Sequence, residues 1–443
     1  MRLSWQDLGK PRADKANGKS VEITGFPLTL LPSGRADHFL MMAEPGCCQG
    51  CVPNNPLAVV EVFADQPLKL GNGALRLGGT WRVSSGSDGW RYQLHGAEVA
   101  PGMTRRAMLA ASPLFCLPVP AMAQAVDGTA VDVHSHAGNI IQMSLGRGQA
   151  LAVASPMSQG GVSAICLAVV SDSPIITTSG GRLRPGRDPR PGELYTFSQS
   201  SFPALHKLAR DQNLPIIRSA AELRAARSSR PSVIVSSEGA DFLEGRIERL
   251  DEAHQRWALR HLQLTHYRPN ELGDIQTEPS VHGGLTAFGA EVIRRCNQIG
   301  IVVDVAHGPY ELVKKAAAAT SRPLVLSHTS LSDRPAPWTR QITSDHARAI
   351  AATGGVIGIW PIPAFFPNIV SYATDGFARM VDVVGIDCVG LGTDQMGLPG
   401  GSTMPSYADL PQLAAALRTR FNAEETAKLL GGNYRRVFEA CIG

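Results

Sequence analysis

From residue 130 onward, short and almost wholly apolar runs alternate with longer stretches whose apolar positions recur every three or four residues. The apolar runs, rich in Val, Ile and Leu, lie at 130–134, 162–170, 232–237, 259–265, 301–306, 323–328, 355–360 and 388–393. Helical periodicity is clearest at 286–299, 311–320, 344–353, 372–384 and 409–421. Residues 422–439 read as a C-terminal helix pair broken at Gly431-Gly432, with Asn422 as its N-cap. Strands without polar alternation are buried on both faces, which implies a parallel sheet covered by helices. Eight of them over about 315 residues predict an α/β (β/α)8 TIM-like barrel. A doubly wound open sheet is the competing architecture. Its usual phosphate fingerprint, G-x-G-x-x-G after the first strand, is absent.

Residues 1–102 have a different pattern. Runs at 20–26, 38–42, 58–63, 79–83 and 90–94 alternate or run apolar, with Gly, Pro, Asn and Asp between them. This predicts a small all-β domain, an OB-like five-stranded barrel. Its loop Cys47-Cys48-Gln49-Gly50-Cys51-Val52-Pro53 reads either as a metal or redox site or as a tight loop with buried thiols. C-C-x-x-C without a second pair is only half of a zinc site.

Residues 103–126 break both patterns. Thr104-Arg105-Arg106 precede a mildly apolar stretch, and Ala121-Met122-Ala123 forms a small-x-small cleavage site. The three features, in this order, resemble a twin-arginine export signal. An Ala/Pro-rich linker is the other reading. Translation from Met103 would make residues 127–443 an exported, periplasmic protein and residues 1–102 a fused or mis-called upstream gene. Translation from Met1 would leave the chain cytoplasmic.

Composition narrows the class of function. The chain has 443 residues, 44% of them hydrophobic and 18% charged, enough for a large core. The net charge of +4 and the lack of a Lys/Arg patch argue against nucleic acid as a partner. Eight thinly spread cysteines are not a disulfide framework. No apolar run is long and clean enough for a transmembrane segment.

Chemistry gathers at the strand ends, where this fold builds its sites. Strand 1 ends in His134 and His136, a spacing that aims two imidazoles the same way on a strand. The later runs lead into Glu238, His266, His307, His328 and Asp394. Any one of these is more often a capped or surface residue. Six strand ends of eight carrying such residues, with five of the twelve histidines among them, is hard to reconcile with scatter. Imidazoles and carboxylates at an open barrel mouth suit Zn²⁺ or a similar ion. Glu238 is placed to bridge two ions, and a bridged pair would supply hydroxide near neutral pH. Asp394 is placed to carry a proton to a leaving amine. Together they read as metal-assisted hydrolysis of an amide.

Further blocks then fall in order. They are Gly284-Leu285-Thr286-Ala287-Phe288-Gly289, Val303-Asp304-Val305-Ala306-His307, Ser327-His328-Thr329-Ser330 and Thr339-Arg340-Gln341-Ile342-Thr343. After them come Ala352-Thr353-Gly354-Gly355-Val356-Ile357-Gly358, Gly392-Thr393-Asp394 and Gly431-Gly432-Asn433-Tyr434-Arg435-Arg436-Val437. With these, residues 130–443 resemble the membrane (renal) dipeptidase family, metallopeptidases with an amidohydrolase-like barrel. The resemblance implies two divalent metal ions, Zn²⁺ above all. His134 and His136 would hold the first, Glu238 would bridge, and His307 and His328 would hold the second. It further implies that His266 contacts the substrate carbonyl, that Arg340 pairs with the substrate carboxylate, and that Asp394 is the general acid/base. The implied partner is a small dipeptide, and the implied assembly a homodimer.

Two positions depart from the family pattern. The family has H-x-D where this chain has His134-x-His136, and Gln395-Met396-Gly397 replaces Phe-Asp-Gly after Asp394. An imidazole at 136 removes one negative charge from the first metal's surroundings. Two other readings stand beside the dipeptidase: hydrolysis of another amide, such as an N-acyl amino acid or lactam, and an inactive binding barrel. Elsewhere, Asp132 is expected to support His134, and His261 to lie behind the site. Cys166, Cys296 and Cys388 are expected as buried thiols, Trp360 as pocket lining or rim packing, and His206, His254, His282 and His346 at the surface.

Overall fold

The computed structural model describes residues 1–28, 35–43, 59–69, 75–84, 91–100, 128–398 and 400–443. The Cys47/Cys48/Cys51 loop and the twin-arginine-like segment 103–126 lie outside the described residues. The chain divides into two compact units, residues 1–117 and residues 118–443.

The first unit is a closed five-stranded barrel of β1 (Ser20–Leu28), β2 (Arg35–Met42), β3 (Val59–Lys69), β4 (Leu75–Val83) and β5 (Tyr92–Val99), in the order β1-β2-β3-β5-β4. All pairs are antiparallel except β3 with β5. The alternating positions Ile23, Met41, Val60, Val62, Leu77, Trp81 and Leu94 fill its interior. Trp81, the largest of them, satisfies its indole N–H on the Ala13 carbonyl at 3.0 Å.

The second unit is a closed eight-stranded parallel barrel, which decides against an open doubly wound sheet. Its strands are β6 (Ala130–Ser135), β7 (Val162–Val170), β10 (Ser232–Glu238), β11 (Leu259–Gln263), β12 (Val302–Asp304), β13 (Leu324–Thr329), β14 (Val356–Ile359) and β15 (Val389–Leu391). Each pairs with the next in sequence, and β15 closes on β6. Seven of the eight are buried at every position and β11 at all but one, as their unbroken apolar runs require. Several strands are shorter than the apolar runs suggest. β12 stops at Asp304 and β15 at Leu391.

Val131, Val133, Ala164, Cys166, Ile234, Val302, Val325 and Val356, from strands around the barrel, form one cluster with Tyr434 and Phe438 of the last helix, Asn433–Ile442. Asn422 is the N-cap its sequence predicts, and Thr286 is a second one. Thr286 and Asn422 accept from the backbone N–H groups of Gly289 and Glu425 at 2.9 Å each. Two elements escape the sequence patterns. The helix Glu193–Asp211 carries Pro203 and a polar-rich face. The hairpin β8 (Ile176–Ser179)–β9 (Arg182–Pro185) turns at Gly180-Gly181, both at positive φ. None of the described helices is long and apolar enough to cross a membrane.

Candidate metal centre

All five strand-end histidines and both acids meet at one mouth of the large barrel. The Glu238 carboxylate is the centre. Its Oε1 lies 3.4 Å from His134 Nε2, 3.2 Å from His307 Nε2 and 3.5 Å from His328 Nε2. Its Oε2 lies 3.1 Å from His136 Nε2 and 3.3 Å from His266 Nε2. Five imidazoles therefore present the same ring nitrogen to one carboxylate, and all six side chains are buried.

Hydrogen bonds behind the rings help to aim them. His136 Nδ1 meets the Ala168 carbonyl at 3.0 Å, His328 Nδ1 meets Ser327 Oγ at 2.9 Å, and His266 Nδ1 meets Asp172 Oδ1 at 2.6 Å. With Nδ1 so engaged, Nε2 faces the centre. Backbone geometry contributes as well. His307 and Asp394, the first residues to turn into the mouth after their strands, adopt φ of 67° and 48°. That left-handed conformation is rare outside glycine, and such strain gathers at functional sites. Gly397 is required by close approach, since a Cβ there would stand 2.1 Å from Asp394 Oδ1 and 2.5 Å from His136 Cδ2.

The electrostatics divide the histidines. For His134 and His266 burial alone would lower the pKa. Glu238 and Asp394 around His134, and Asp172 and Glu238 around His266, outweigh it and raise each to about 9. For His307 and His328 burial wins, reinforced by the Arg340 cation, and both are held well below the usual range. Burial opposes the Glu238 anion, yet His266, His134 and His136 hold its carboxyl well below the usual range. Burial raises Asp394 against the pull of His136 and His134.

The donor set fits divalent metal ions. His134 Nε2 and His136 Nε2 are 3.1 Å apart, as are His307 Nε2 and His328 Nε2. Two nitrogens sharing a tetrahedral ion at about 2.0–2.1 Å would be roughly 3.3 Å apart. Among the described residues, three groups of potential ligand atoms emerge: His134, His136 and Asp394; His134, Glu238 and His328; Glu238, His266 and His307. Asp394 Oδ1 is buried without a hydrogen-bond partner, 3.4 Å from His136 Nε2.

Arg340 borders this cluster. It donates through Nη1 to Gln276 Oε1 at 2.5 Å and through Nη2 to His328 Nε2 at 3.1 Å, while its buried Nε has no partner. Trp360, read either as pocket lining or as rim packing, lies beside the site with its ring tilted against His328. Its ring centroid is 5.5 Å from the Arg340 guanidinium carbon and 5.7 Å from the His328 ring. Tyr267 lies edge-on to His266 and His307, at 4.5 and 5.0 Å.

Sequence reasoning missed Asp172, Tyr267 and Gln276. Asp172 follows β7, one of the two apolar runs whose ends carry none of the predicted site residues, and the signal was its place two residues past the strand. His261 does lie behind the site, against Asp304, and Asp132 does support His134. Cys166 and Cys296 are buried and Cys388 is half-buried. His206 and His254 are half-buried and His282 is exposed. His346 is a correction. It is buried in the helix Ser344–Ala351, not at the surface, and burial and Arg340 lower its pKa to about 4.

Known proteins give the same picture. The chain is 26% identical over 223 residues to dipeptidase tcpJ of Claviceps purpurea, covering 48% of this chain and 52% of that protein. It is 28% identical over 195 residues to dipeptidase verJ of Clonostachys rogersoniana, covering 42% and 49%. It thus spans about half the length of the curated relatives it matches. Among solved structures, dipeptidase AC, a metallopeptidase of family M19, superposes with a TM-score of 0.62 at 21% identity, covering 71% of this chain and 98% of that one. The family model for membrane dipeptidase, peptidase family M19, matches residues 153–441. The chain belongs to the membrane dipeptidase family.

Proposed function

We propose that this protein is a dipeptidase that uses two divalent metal ions, most readily Zn²⁺, to hydrolyse the peptide bond of small dipeptides. The observation that carries the reading is the convergence of five Nε2 atoms on the Glu238 carboxylate, with Arg340 alongside.

His134 and His136 would hold one ion, His307 and His328 the other, and Glu238 would bridge them. When bound, such a pair polarises a carbonyl and makes water acidic enough to attack near neutral pH. His134 must shed its proton to serve as a ligand, so loading releases protons. His266, protonated through Asp172 and Glu238, offers a donor N–H to an oxyanion. Asp394, whose pKa burial raises, is suited to take a proton from the attacking group and pass it to the leaving amine. Arg340 is the cation for a free C-terminal carboxylate, held in place by Gln276.

An amide with a free carboxylate, a dipeptide or equally an N-acyl amino acid, is favoured over an uncharged amide or lactam because a buried guanidinium with an unpartnered N–H asks for an anion. The test compares hydrolysis of a dipeptide with that of its C-terminal amide. The expected result is a KM for the amide at least about tenfold higher, the loss of one charge-assisted hydrogen-bonded pair. Equal KM values would contradict the dipeptide reading and favour another amide. We also propose that a chain translated from Met103 is exported through its twin-arginine-like segment, which N-terminal sequencing of the native protein tests.

A further inference from the structure

We infer that Asp132 and Asp304 are positioning residues, each fixing one half of the metal-ligand set by tying together the two strand ends that carry it; this rests on the two-ion reading. Both aspartates are fully buried, and neither faces the Glu238 cluster as a ligand.

Asp132 joins β6 to β15. Its Oδ1 accepts from the backbone N–H of His134 at 3.3 Å and of Thr393 at 2.8 Å. Its Oδ2 accepts from Thr393 Oγ1 at 2.5 Å and from the Tyr407 hydroxyl at 2.7 Å. Backbone pairing of the two strands is sparse, with a single register pair, Leu391 with Asp132, and an isolated bridge, Ser135 with Gln395. Between these, the Thr393 N–H goes to the Asp132 carboxylate. The residues immediately beyond the clamp are His134 and His136 on one side and Asp394 on the other.

Asp304 does the same for β12 and β13. Its Oδ1 accepts from the backbone N–H of Ala306 at 2.9 Å and of Ser327 at 3.1 Å. Its Oδ2 meets His261 Nε2 at 3.2 Å, and His261 Nδ1 meets the Tyr434 hydroxyl at 2.8 Å. Ala306 and Ser327 directly precede His307 and His328. Asp132 thus holds the backbone of His134 itself, Asp304 holds the residues just before His307 and His328, and the two clamps share no residue. Buried carboxylates that accept three or four hydrogen bonds are expensive to misplace, so each clamp holds a single geometry.

Independent clamps predict independent losses. The experiment titrates cobalt(II) into the metal-stripped full chain and reads visible absorption against a competing chelator. The wild type should take two equivalents. Asp304→Asn should weaken one equivalent about ten- to a hundredfold, the usual effect of removing a group that orients a ligand, and leave the other nearly unchanged. The spectrum of its tighter equivalent should match that remaining in His307→Ala. Asp132→Asn should weaken the opposite equivalent and match His134→Ala. Tyr434→Phe and Tyr407→Phe each remove one donor from a clamp while keeping the ring, and should give the same selectivity at smaller size. They decide the matter if an Asn variant does not fold. Both equivalents weakened alike, or neither weakened in folded variants, overturns the inference. A wild type that takes up fewer than two equivalents overturns the two-ion reading itself, and this inference with it.

Discussion

The two barrels of this chain fill themselves with different kinds of side chain. Among the described residues, the five-stranded barrel buries only apolar and aromatic groups, and every fully buried charged residue lies beyond residue 130. Histidines make the contrast sharpest. In the small barrel His38 and His95 sandwich Phe63 on the outer surface, with ring centroids 4.5 and 4.6 Å apart, and His38 meets Glu61 at 3.0 Å. That pairing is exposed on the His38 side and worth little. In the large barrel five histidines surround Glu238 out of solvent, where unpaired charge is costly. Four of these imidazoles are shifted, His134 and His266 upward and His307 and His328 downward, and buried groups perturbed in this way mark candidate functional sites.

The most severe way to break the contrast is to remove each acid in turn. Glu238→Ala should lower kcat/KM roughly a thousandfold or more. Glu61→Ala should leave it within about twofold, as expected for a surface pair. Steady-state kinetics on metal-analysed protein checks both, and an active Glu238→Ala would sink the role of the centre. Next in size is Arg340→Ala, which should raise the dipeptide KM roughly ten- to a hundredfold with a smaller change in kcat. An unchanged KM would remove Arg340 from substrate binding.

His136→Asp supplies the carboxylate that the family pattern has. The added negative charge should tighten the first ion about tenfold, read by chelator competition. Unchanged or weaker affinity would mean that His136 is not a ligand.

The smallest effect comes from His346, a buried histidine outside the site with no acid beside it. Its pKa of about 4 lies below the unfolded value near 6.5, so the unfolded chain binds the extra proton between the two. The stability it contributes is complete above about pH 6.5 and is lost as pH falls toward 4. The melting temperature should fall by a few degrees over that window, and His346→Leu should flatten the fall. An identical pH profile in the variant would show that His346 does not titrate on unfolding.

Much of the large barrel was legible because β-strands buried on both faces leave unbroken apolar runs. The residues that gather around Glu238 were legible because each follows such a run. What supports them was not. Asp172 and Gln276 sit in loops whose path is set by tertiary packing, and nothing local marks Asp172 as the partner of a residue 94 positions away. Tyr267 and Trp360 look like ordinary packing aromatics until the fold brings them to His307 and His328. His346 was misread because a polar residue on a helix suggests solvent. Its spacing of four from Ile350, which is buried, was the available clue. In the small barrel the closed topology was legible from turn punctuation and alternation, whereas β3 runs longer than its apolar pattern because the exposed Asp65 and Gln66 extend the ladder, and β4 because residues 75–78 precede its run.

The central claim is that the Glu238 cluster is a metal centre for dipeptide hydrolysis. Metal analysis of the purified full chain, paired with a dipeptide hydrolysis assay before and after chelator, tests it most directly. About two equivalents of a divalent metal are expected, with turnover that the chelator abolishes and that recovers when the metal is returned. Protein that holds no metal after exposure to zinc and turns over no dipeptide would contradict it.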